Sequence, residues 1–211
     1  MSDYVTYRKR FDNETDPLIG EMETYAEENR VPIMDREGLD TFIGLLTIQQ
    51  PGRLLEIGSA IGYSAIRLAR AVPGLHVSTI ERDSDRHAKA AEYITRAGLS
   101  GSIRLFLDDA LLFDDSELPF RQYDALFIDA AKGQYKRFFE KYTPAVREGG
   151  IIYCDNMFMH GLAFLEDGEI PKRSRTMIRN LKSFTEWIMA NPAFATSLIP
   201  VGDGILIARK L

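Results

Sequence analysis

This chain of 211 residues has almost no cysteine, because Cys154 is the only one. A disulfide framework needs pairs of cysteines, and a thiolate zinc site needs several. Cys154 falls in an apolar, strand-like run and is interpreted as a small buried side chain. The sequence therefore excludes a disulfide scaffold and a metal site built from several thiolates.

Long apolar runs and an excess of positive charge are also missing. No run approaches the about 18 to 20 residues that span a bilayer, and the N-terminus lacks the apolar core of a signal peptide. The formal net charge is −5 and the pI about 5.3, which does not suggest a general nucleic-acid binder but leaves room for a local basic patch. We therefore expect a soluble, cytoplasmic protein without membrane contacts.

What the sequence does contain is a regular alternation of strands and helices from residue 53 onward. With 45% hydrophobic residues, the chain is expected to form a single domain over 1–211. The alternation predicts an α/β fold with a doubly wound, mostly parallel sheet. The predicted strands are 53–57, 76–80, 103–107, 123–128 and 150–154, and the predicted helices are 62–72, 84–97, 111–118 and 133–147, the last interrupted near Pro144.

Both ends of the chain add to this pattern. Near the C-terminus, a long helix that begins near Arg173 is followed by strand-like runs at 194–200 and 205–210. Their connection is so short that they must form an antiparallel hairpin, which brings the sheet to seven strands. Before residue 53, amphipathic helices at about 16–29 and 36–49 are expected to cap the active edge or to form a dimer contact.

Polar residues directly follow two neighbouring strands of the predicted sheet. Asp129 follows one strand, and Asp155 and Asn156 follow the next. Because parallel strands joined by a helical crossover expose their carboxyl ends at the same edge, these side chains should lie close together. Their oxygens suit Mg²⁺ better than Zn²⁺. The alternative is that acids at strand ends serve only as turn formers and N-caps.

A second set of strand ends predicts a nucleoside site. Gly58 and Gly62 follow the first strand with the spacing G-x-x-x-G, which differs from the dinucleotide pattern G-x-G-x-x-G and disfavours NAD and FAD. Glu81 ends the second strand, where an acid typically binds ribose hydroxyls, and Asp109 with Ala110 follows the third, where adenine would lie. Together with Asp129, these residues favour a nucleoside along the edge over independent caps.

These segments resemble the cation-dependent O-methyltransferases, the group that includes catechol and caffeoyl-CoA methyltransferases. The resemblance covers essentially residues 20–211 and implies a Rossmann-like class I methyltransferase fold and a homodimer. It rests on EIGSAIGYS (56–64), IDAAK (128–132) and DN (155–156). Three further segments are similar to the bacterial branch that methylates 5-hydroxyuridine at the wobble position of tRNA to 5-methoxyuridine, namely NRVPIM (29–34), DAAKGQY (129–135) and PVGDG (200–204).

Position by position, the resemblance implies S-adenosylmethionine as the cofactor. Residues Met34, Gly58 and Ser64 would surround its methionine portion. Glu56 would lie near the amine, Glu81 would hold the ribose, and Asp109 with Ala110 would hold the adenine. Asp129 would border the cofactor and hold Mg²⁺ together with Asp155 and Asn156.

Lys132 is the candidate general base. It lies three residues after Asp129, and a lysine beside a cation can have a lowered pKa, so we hypothesise that it accepts the substrate proton. The alternatives are a surface lysine or one that only positions the nucleophile.

A local basic segment is the candidate RNA contact. Between residues 171 and 185 there are five cations and no acid: Lys172, Arg173, Arg175, Arg179 and Lys182. We expect Arg173 and Arg175 to contact phosphates of the anticodon region of tRNA. A solvated helix face is the alternative. The adjacent segment 157–160 either walls the substrate site, where it could stack a base, or packs in the core.

Two competing functions remain open at this point. Adjacent oxygens that a cation could chelate occur both in 5-hydroxyuridine and in catechol, so a small-molecule catechol or phenolic O-methyltransferase is the runner-up. A cofactor-binding module without catalysis is disfavoured, because Asp129, Lys132, Asp155 and Asn156 are all present.

Overall fold

The structure is a computed structural model that describes Tyr7, residues 16–130 and residues 132–211, with the side chain of Lys132 excepted. The chain divides into two compact units, residues 1–32 and 33–211. In the first unit, helix α1 spans Pro17–Glu28. Its start follows from Asp16, whose side chain accepts the Leu18 N–H, and from a proline in the first turn.

The second unit is built on a seven-stranded sheet. The strand order is β3-β2-β1-β4-β5-β7-β6, with β7 antiparallel to both of its neighbours and the other pairings parallel. The order reverses beside β1, where ligands of doubly wound sheets bind. The predicted mostly parallel α/β sheet with its C-terminal antiparallel hairpin is confirmed. The strands are β1 Arg53–Ile57, β2 His76–Glu81, β3 Ile103–Leu107, β4 Tyr123–Ile128, β5 Val146–Cys154, β6 Phe194–Ile199 and β7 Ile205–Lys210.

Helices cover both faces of this sheet. Helix α2 begins after Asp35, whose side chain accepts the Gly38 N–H. Its Phe42 ring contacts the rings of Phe127 and Tyr153 on β4 and β5, at centroid distances of 4.4 and 4.8 Å. Helix α2 is therefore part of the sheet's apolar cover. The helices of this unit are α2 Arg36–Gln49, α3 Tyr63–Ala71, α4 Ser84–Arg96, α5 Tyr135–Tyr142 and α6 Arg175–Met189.

Three predicted helices differ in the structure. The segment 111–118 contains only a 3₁₀ turn, Asp115–Glu117, because Asp114 turns its carboxylate onto a backbone N–H and competes with a helix. The predicted helix 133–147 is shorter, since a 3₁₀ turn at Thr143–Ala145 contains Pro144 and β5 already begins at Val146. The long C-terminal helix opens with a 3₁₀ turn, Lys172–Ser174.

The core lies around the central strands. Strands β1 and β4 are buried along almost their whole length, as expected for strands covered on both faces. Between α5, α6 and the sheet, the Phe139 ring contacts Phe184, Trp187 and Phe194. None of the helices in the described ranges is long and apolar enough to cross a membrane.

Candidate active site at the carboxyl edge of the sheet

The turn between β1 and α3 has an unusual backbone. Gly58, Ala60 and Gly62 all have positive φ values, 95°, 45° and 81°. A Cβ atom at Gly58 would lie 2.4 Å from the carbonyl oxygen of Asp129, so only glycine fits where these two strand ends meet. Such strained turns concentrate at ligand sites. At Gly58 it is therefore the backbone, with no side chain, that lies at the carboxyl edge of the sheet.

Glu56 is a carboxylate buried completely within this edge. It accepts hydrogen bonds from the hydroxyl groups of Ser64 and Thr79. Burial raises the pKa of Glu56 to about 7, with the negative charges of Asp129 and Glu81 acting in the same direction and the two hydroxyls opposing it. A buried carboxylate in this setting favours a cationic partner, such as an amine.

Glu81, at the end of β2, connects that strand to the turn 58–62 through hydrogen bonds. Its two carboxylate oxygens accept the N–H groups of Ala60 and Asp83, at 2.8 and 2.9 Å. Each oxygen retains capacity to accept a further hydrogen bond. The side chain is thus oriented by the backbone and chemically suited to ribose hydroxyls, as the sequence predicts.

One buried polar atom in this turn lacks a partner. Among the described residues, the Ser59 hydroxyl makes no hydrogen bond, although Ser59 is only 2% exposed. Buried polar groups are nearly always satisfied, so an unsatisfied hydroxyl in this turn fits a polar ligand. Met34, directly before the N-cap residue of α2, is buried as well. These features fit a nucleoside with an amino-acid tail.

The turn after β3 holds Asp109 and Ala110. Asp109 Oδ1 accepts the Leu111 N–H at 2.8 Å, so this side chain caps its own turn. The Ala110 carbonyl accepts the hydroxyl of the buried Tyr142. Oxygen atoms that accept one hydrogen bond can accept another, so both Asp109 and the Ala110 carbonyl stay candidate acceptors for an adenine amine.

The structure brings together the three predicted cation ligands. Asp129 and Asp155 follow β4 and β5, and the Asn156 amide nitrogen lies 2.5 Å from Asp155 Oδ2 and 3.4 Å from Asp129 Oδ1. Asn156 has a φ of 59°, which asparagine tolerates. Rotation of its amide would present an oxygen instead of the nitrogen. Two carboxylates and an amide oxygen suit Mg²⁺.

No group of three or more His, Cys, Asp or Glu side chains that could hold a metal occurs among the described residues. The predicted set, Asp129, Asp155 and Asn156, has only two side chains of these types, because its third member is an amide. The role of this set in holding a cation therefore stays a prediction.

Lys132 lies in a 3₁₀ turn, Lys132–Gln134, between β4 and α5. Its side chain lies outside the described part of the structure, so the predicted role as base stays a prediction. Helix α6 packs against this turn, and Asn180 donates a 3.1 Å hydrogen bond to the Gly133 carbonyl. The turn that begins at Lys132, three residues after Asp129, is therefore held by α6.

Sequence reasoning missed the role of Tyr135. Its buried hydroxyl donates to the Asp155 carbonyl, which supports the backbone between two predicted cation ligands. Burial, followed by the charges of Asp129 and Asp155, raises the pKa of Tyr135 well above its ordinary value. Tyr135 therefore stays neutral and remains a donor. An aromatic run could equally be core, so the sequence carries no signal for this contact.

The β6–β7 turn is also closer to the site than the sequence indicates. The Met157 N–H donates to the Gly204 carbonyl at 3.0 Å, and the Phe158 N–H donates to the Asp203 carbonyl at 2.8 Å. The Asp203 side chain accepts the His160 N–H at 2.6 Å. These three hydrogen bonds, which we call the clasp, therefore hold the turn against the loop that follows Asn156.

Several side chains of the predicted basic segment 171–185 make hydrogen bonds or ion pairs within the protein. Arg175 donates to the carbonyl oxygens of Ile170 and Gly168, and Lys182 donates to the carbonyl of Leu165. Arg179 forms a 4.0 Å ion pair with the exposed Asp167. Lys172 and Arg173, at the beginning of the segment, are exposed. The surface that remains for a phosphate is thus smaller than the five cations suggest.

Aromatic rings lie on the loop after the predicted cation ligands. The rings of Phe158 and Phe164 are 4.8 Å apart, and Phe164 is 69% exposed. Phe158 rests against Gly204, where a Cβ atom would come within 2.7 Å of its ring. One of the two rings is therefore anchored and the other faces solvent.

A doubly wound sheet with β7 inserted antiparallel, a glycine turn after β1 and acids after successive strands define a class of protein. This is the class of Rossmann-like, class I methyltransferases, which bind S-adenosylmethionine along the carboxyl edge.

Comparison with known proteins narrows this class. The sequence model of the O-methyltransferase family matches residues 13–211. A catechol O-methyltransferase of Niastella koreensis is 30% identical over 207 residues, which cover 92% of this chain and 90% of that protein. A caffeoyl-CoA O-methyltransferase of Populus kitakamiensis is 30% identical over 175 residues, with 79% and 73% covered.

A solved structure agrees with these sequence relatives. The O-methyltransferase of Bacillus cereus, in complex with S-adenosylhomocysteine (SAH), has a TM-score of 0.83 and 25% identity, with 98% of this chain and 96% of that chain covered. The chain belongs to the O-methyltransferase family, and it is an S-adenosylmethionine-dependent O-methyltransferase.

Proposed function

We propose that the protein methylates the 5-hydroxyl of 5-hydroxyuridine at the wobble position of tRNA, in a Mg²⁺-dependent reaction that gives 5-methoxyuridine. The observation that carries the cation dependence is the meeting of Asp129, Asp155 and Asn156 at the edge where the cofactor binds. Their donor set favours a hard cation. A cytoplasmic homodimer that acts on the anticodon region of tRNA is part of the proposal.

Different residues at the carboxyl edge of the sheet are proposed to bind the cofactor and the cation. Glu56, oriented by Ser64 and Thr79, is suited to the cofactor amine, and Glu81 is suited to the ribose. Asp129, Asp155 and Asn156 would hold the cation. Bound S-adenosylmethionine would supply a methyl group on a sulfonium, and bound Mg²⁺ would hold two adjacent substrate oxygens and favour loss of the hydroxyl proton.

Lys132 is proposed to accept the substrate proton at its Nζ atom. It lies three residues after Asp129 in the sequence, and α6 packs against the turn that begins at Lys132. A Lys132→Met variant should lose the rise of the rate with pH on the acid side of the pH–rate profile, because a base acts only after it has lost its own proton, while it should bind SAH normally. A profile indistinguishable from that of the wild type would refute this role.

Three observations support a nucleotide substrate. Lys172 and Arg173 are exposed at the start of the segment that leads into α6. The exposed Phe164 ring, which contacts the Phe158 ring on the loop that follows Asn156, offers a stacking surface for a base. The segments 29–34, 129–135 and 200–204 resemble the tRNA branch of the family.

A small-molecule substrate is the second candidate. Two observations favour it. The named relatives include catechol and caffeoyl-CoA methyltransferases. Arg175 and Lys182 donate hydrogen bonds to carbonyl groups of the protein rather than pointing freely to solvent. A catechol presents the same pair of adjacent oxygens to a cation.

One assay separates these functions. Labelled S-adenosylmethionine and Mg²⁺ are supplied with tRNA that carries 5-hydroxyuridine, with the same tRNA that carries uridine, or with a small catechol, each with and without EDTA. Metal-dependent label in 5-methoxyuridine alone is the expected result. Label only in the catechol would overturn the tRNA substrate, and label that persists in EDTA would overturn the cation dependence.

A further inference from the structure

The loop that begins at Asn156 has a backbone that needs support. Asn156, Met159 and His160 have φ values of 59°, 49° and 53°, and Gly161 has a φ of 87°. The left-handed region is unfavourable for residues other than glycine, and asparagine tolerates it best. Conformations of this kind persist only where the surroundings hold them. Hydrogen bonds within the loop, such as the one from the Gly161 N–H to the Phe158 carbonyl, provide part of this support, and contacts from outside the loop add to it.

Those contacts come from the β6–β7 turn. Two are backbone hydrogen bonds from Met157 and Phe158 to the carbonyl groups of Gly204 and Asp203. The third is a bond from the His160 N–H to the Asp203 carboxylate. A charged acceptor makes this bond stronger than a neutral one. Asp203 is thus the one member of the clasp whose contribution depends on its side chain.

The His160 side chain contributes little to this contact. Its Nδ1 atom lies 3.7 Å from Asp203 Oδ2, and the side chain is 86% exposed. A charge contact with an imidazole that is so exposed is screened by water and salt. The backbone N–H of His160, rather than its imidazole, is therefore the group that Asp203 holds.

We infer that Asp203 is a positioning residue for the cation site: its Oδ1 atom holds the loop after Asn156 in the left-handed conformation that brings the Asn156 amide to Asp129 and Asp155. This inference rests on the proposed function, because it concerns the proposed cation site. Asp203 lies 48 positions beyond Asp155 along the chain, and the hydrogen bonds of Met157 and Phe158 to the β6–β7 turn bring the two segments together.

Four variants test this role by Mg²⁺ titration in the presence of SAH. Asp203→Ala removes the acceptor and should weaken Mg²⁺ binding about tenfold, since a hydrogen bond to a charged group contributes on that order. Asp203→Asn keeps an oxygen acceptor without the charge and should weaken binding less than Asp203→Ala does. Asp203→Glu keeps the charge but displaces the acceptor and should weaken binding. His160→Ala keeps the N–H and should have no effect.

Amide hydrogen exchange provides a readout that needs no metal. Without Mg²⁺, the amides of Phe158 and His160 should exchange faster in Asp203→Ala and Asp203→Glu than in the wild type and Asp203→Asn. SAH affinity should be equal in all of them, which shows that the sheet edge is intact. If Asp203→Ala does not fold, the Asn and Glu variants decide the matter.

Three results would overturn the inference. Mg²⁺ binding by Asp203→Ala equal to that of the wild type would show that the clasp does not position the site. A loss in Asp203→Asn with full binding in Asp203→Glu would assign the effect to charge alone. Absence of Mg²⁺ binding by the wild type would overturn the proposed cation dependence and this role with it, which distinguishes the two failures.

Discussion

The buried carboxylate of Glu56 should make the stability of the cofactor-free protein depend on pH. The pKa of Glu56 is raised from 4.5 to about 7, chiefly by burial. Between these values the folded protein retains a proton that the unfolded chain has lost, so the free energy of unfolding falls as pH rises. A shift of roughly 2.5 units corresponds to about 3 kcal/mol at 1.36 kcal/mol per unit.

Glu56→Gln tests this reasoning, because glutamine has the same shape and does not titrate. The free energy of unfolding of the variant relative to wild type should increase by about 3 kcal/mol between pH 4.5 and pH 7 and change little above that. Urea unfolding at half-unit steps of pH measures it. Glu92→Gln, on the exposed face of α4, is the matched control and should show no such rise.

Parallel pH profiles for Glu56→Gln and the wild type would refute the assignment of a raised pKa. The cofactor provides a second check, since its amine would favour the ionised carboxylate. SAH should bind the wild type more tightly as pH rises through about 7, and this dependence should be absent from Glu56→Gln. Equal dependence in both proteins would place the amine elsewhere.

Three further predictions follow from the site. Gly58→Ala should abolish SAH binding measured by calorimetry, because its Cβ would lie 2.4 Å from the Asp129 carbonyl, whereas Gly44→Ala, with nothing within 4 Å, should bind normally. Arg173→Glu should weaken tRNA binding several-fold in a filter assay without lowering the melting temperature, since Arg173 is exposed; unchanged affinity would exclude it as a contact. Phe164→Ala should raise the KM for tRNA by about tenfold while kcat holds, as stacking is worth roughly 1–3 kcal/mol per base; an unchanged KM would remove Phe164 from the site.

The fold could be predicted from local pattern because each strand carries its own signal. Strands that are covered on both faces appear as short apolar runs, and a connection as short as 201–204 allows only a hairpin. The predicted segment 36–49 matches α2 residue for residue. The prediction was wrong at 111–118, where Asp114 binds the backbone locally and no helix forms. Such competition depends on one side-chain rotamer, which periodicity does not report.

The sequence by itself determined which residues stand at the ends of the strands. Parallel strands present their carboxyl ends at one edge, so the convergence of Gly58, Glu81, Asp129 and Asp155 follows from chain order and topology. The tertiary structure decided what the distant segments do: it places the Asp203 turn on the loop after Asn156 and commits Arg175 to a carbonyl group. These contacts join groups whose partners depend on loop conformation, and loop conformation is set by packing rather than by local pattern.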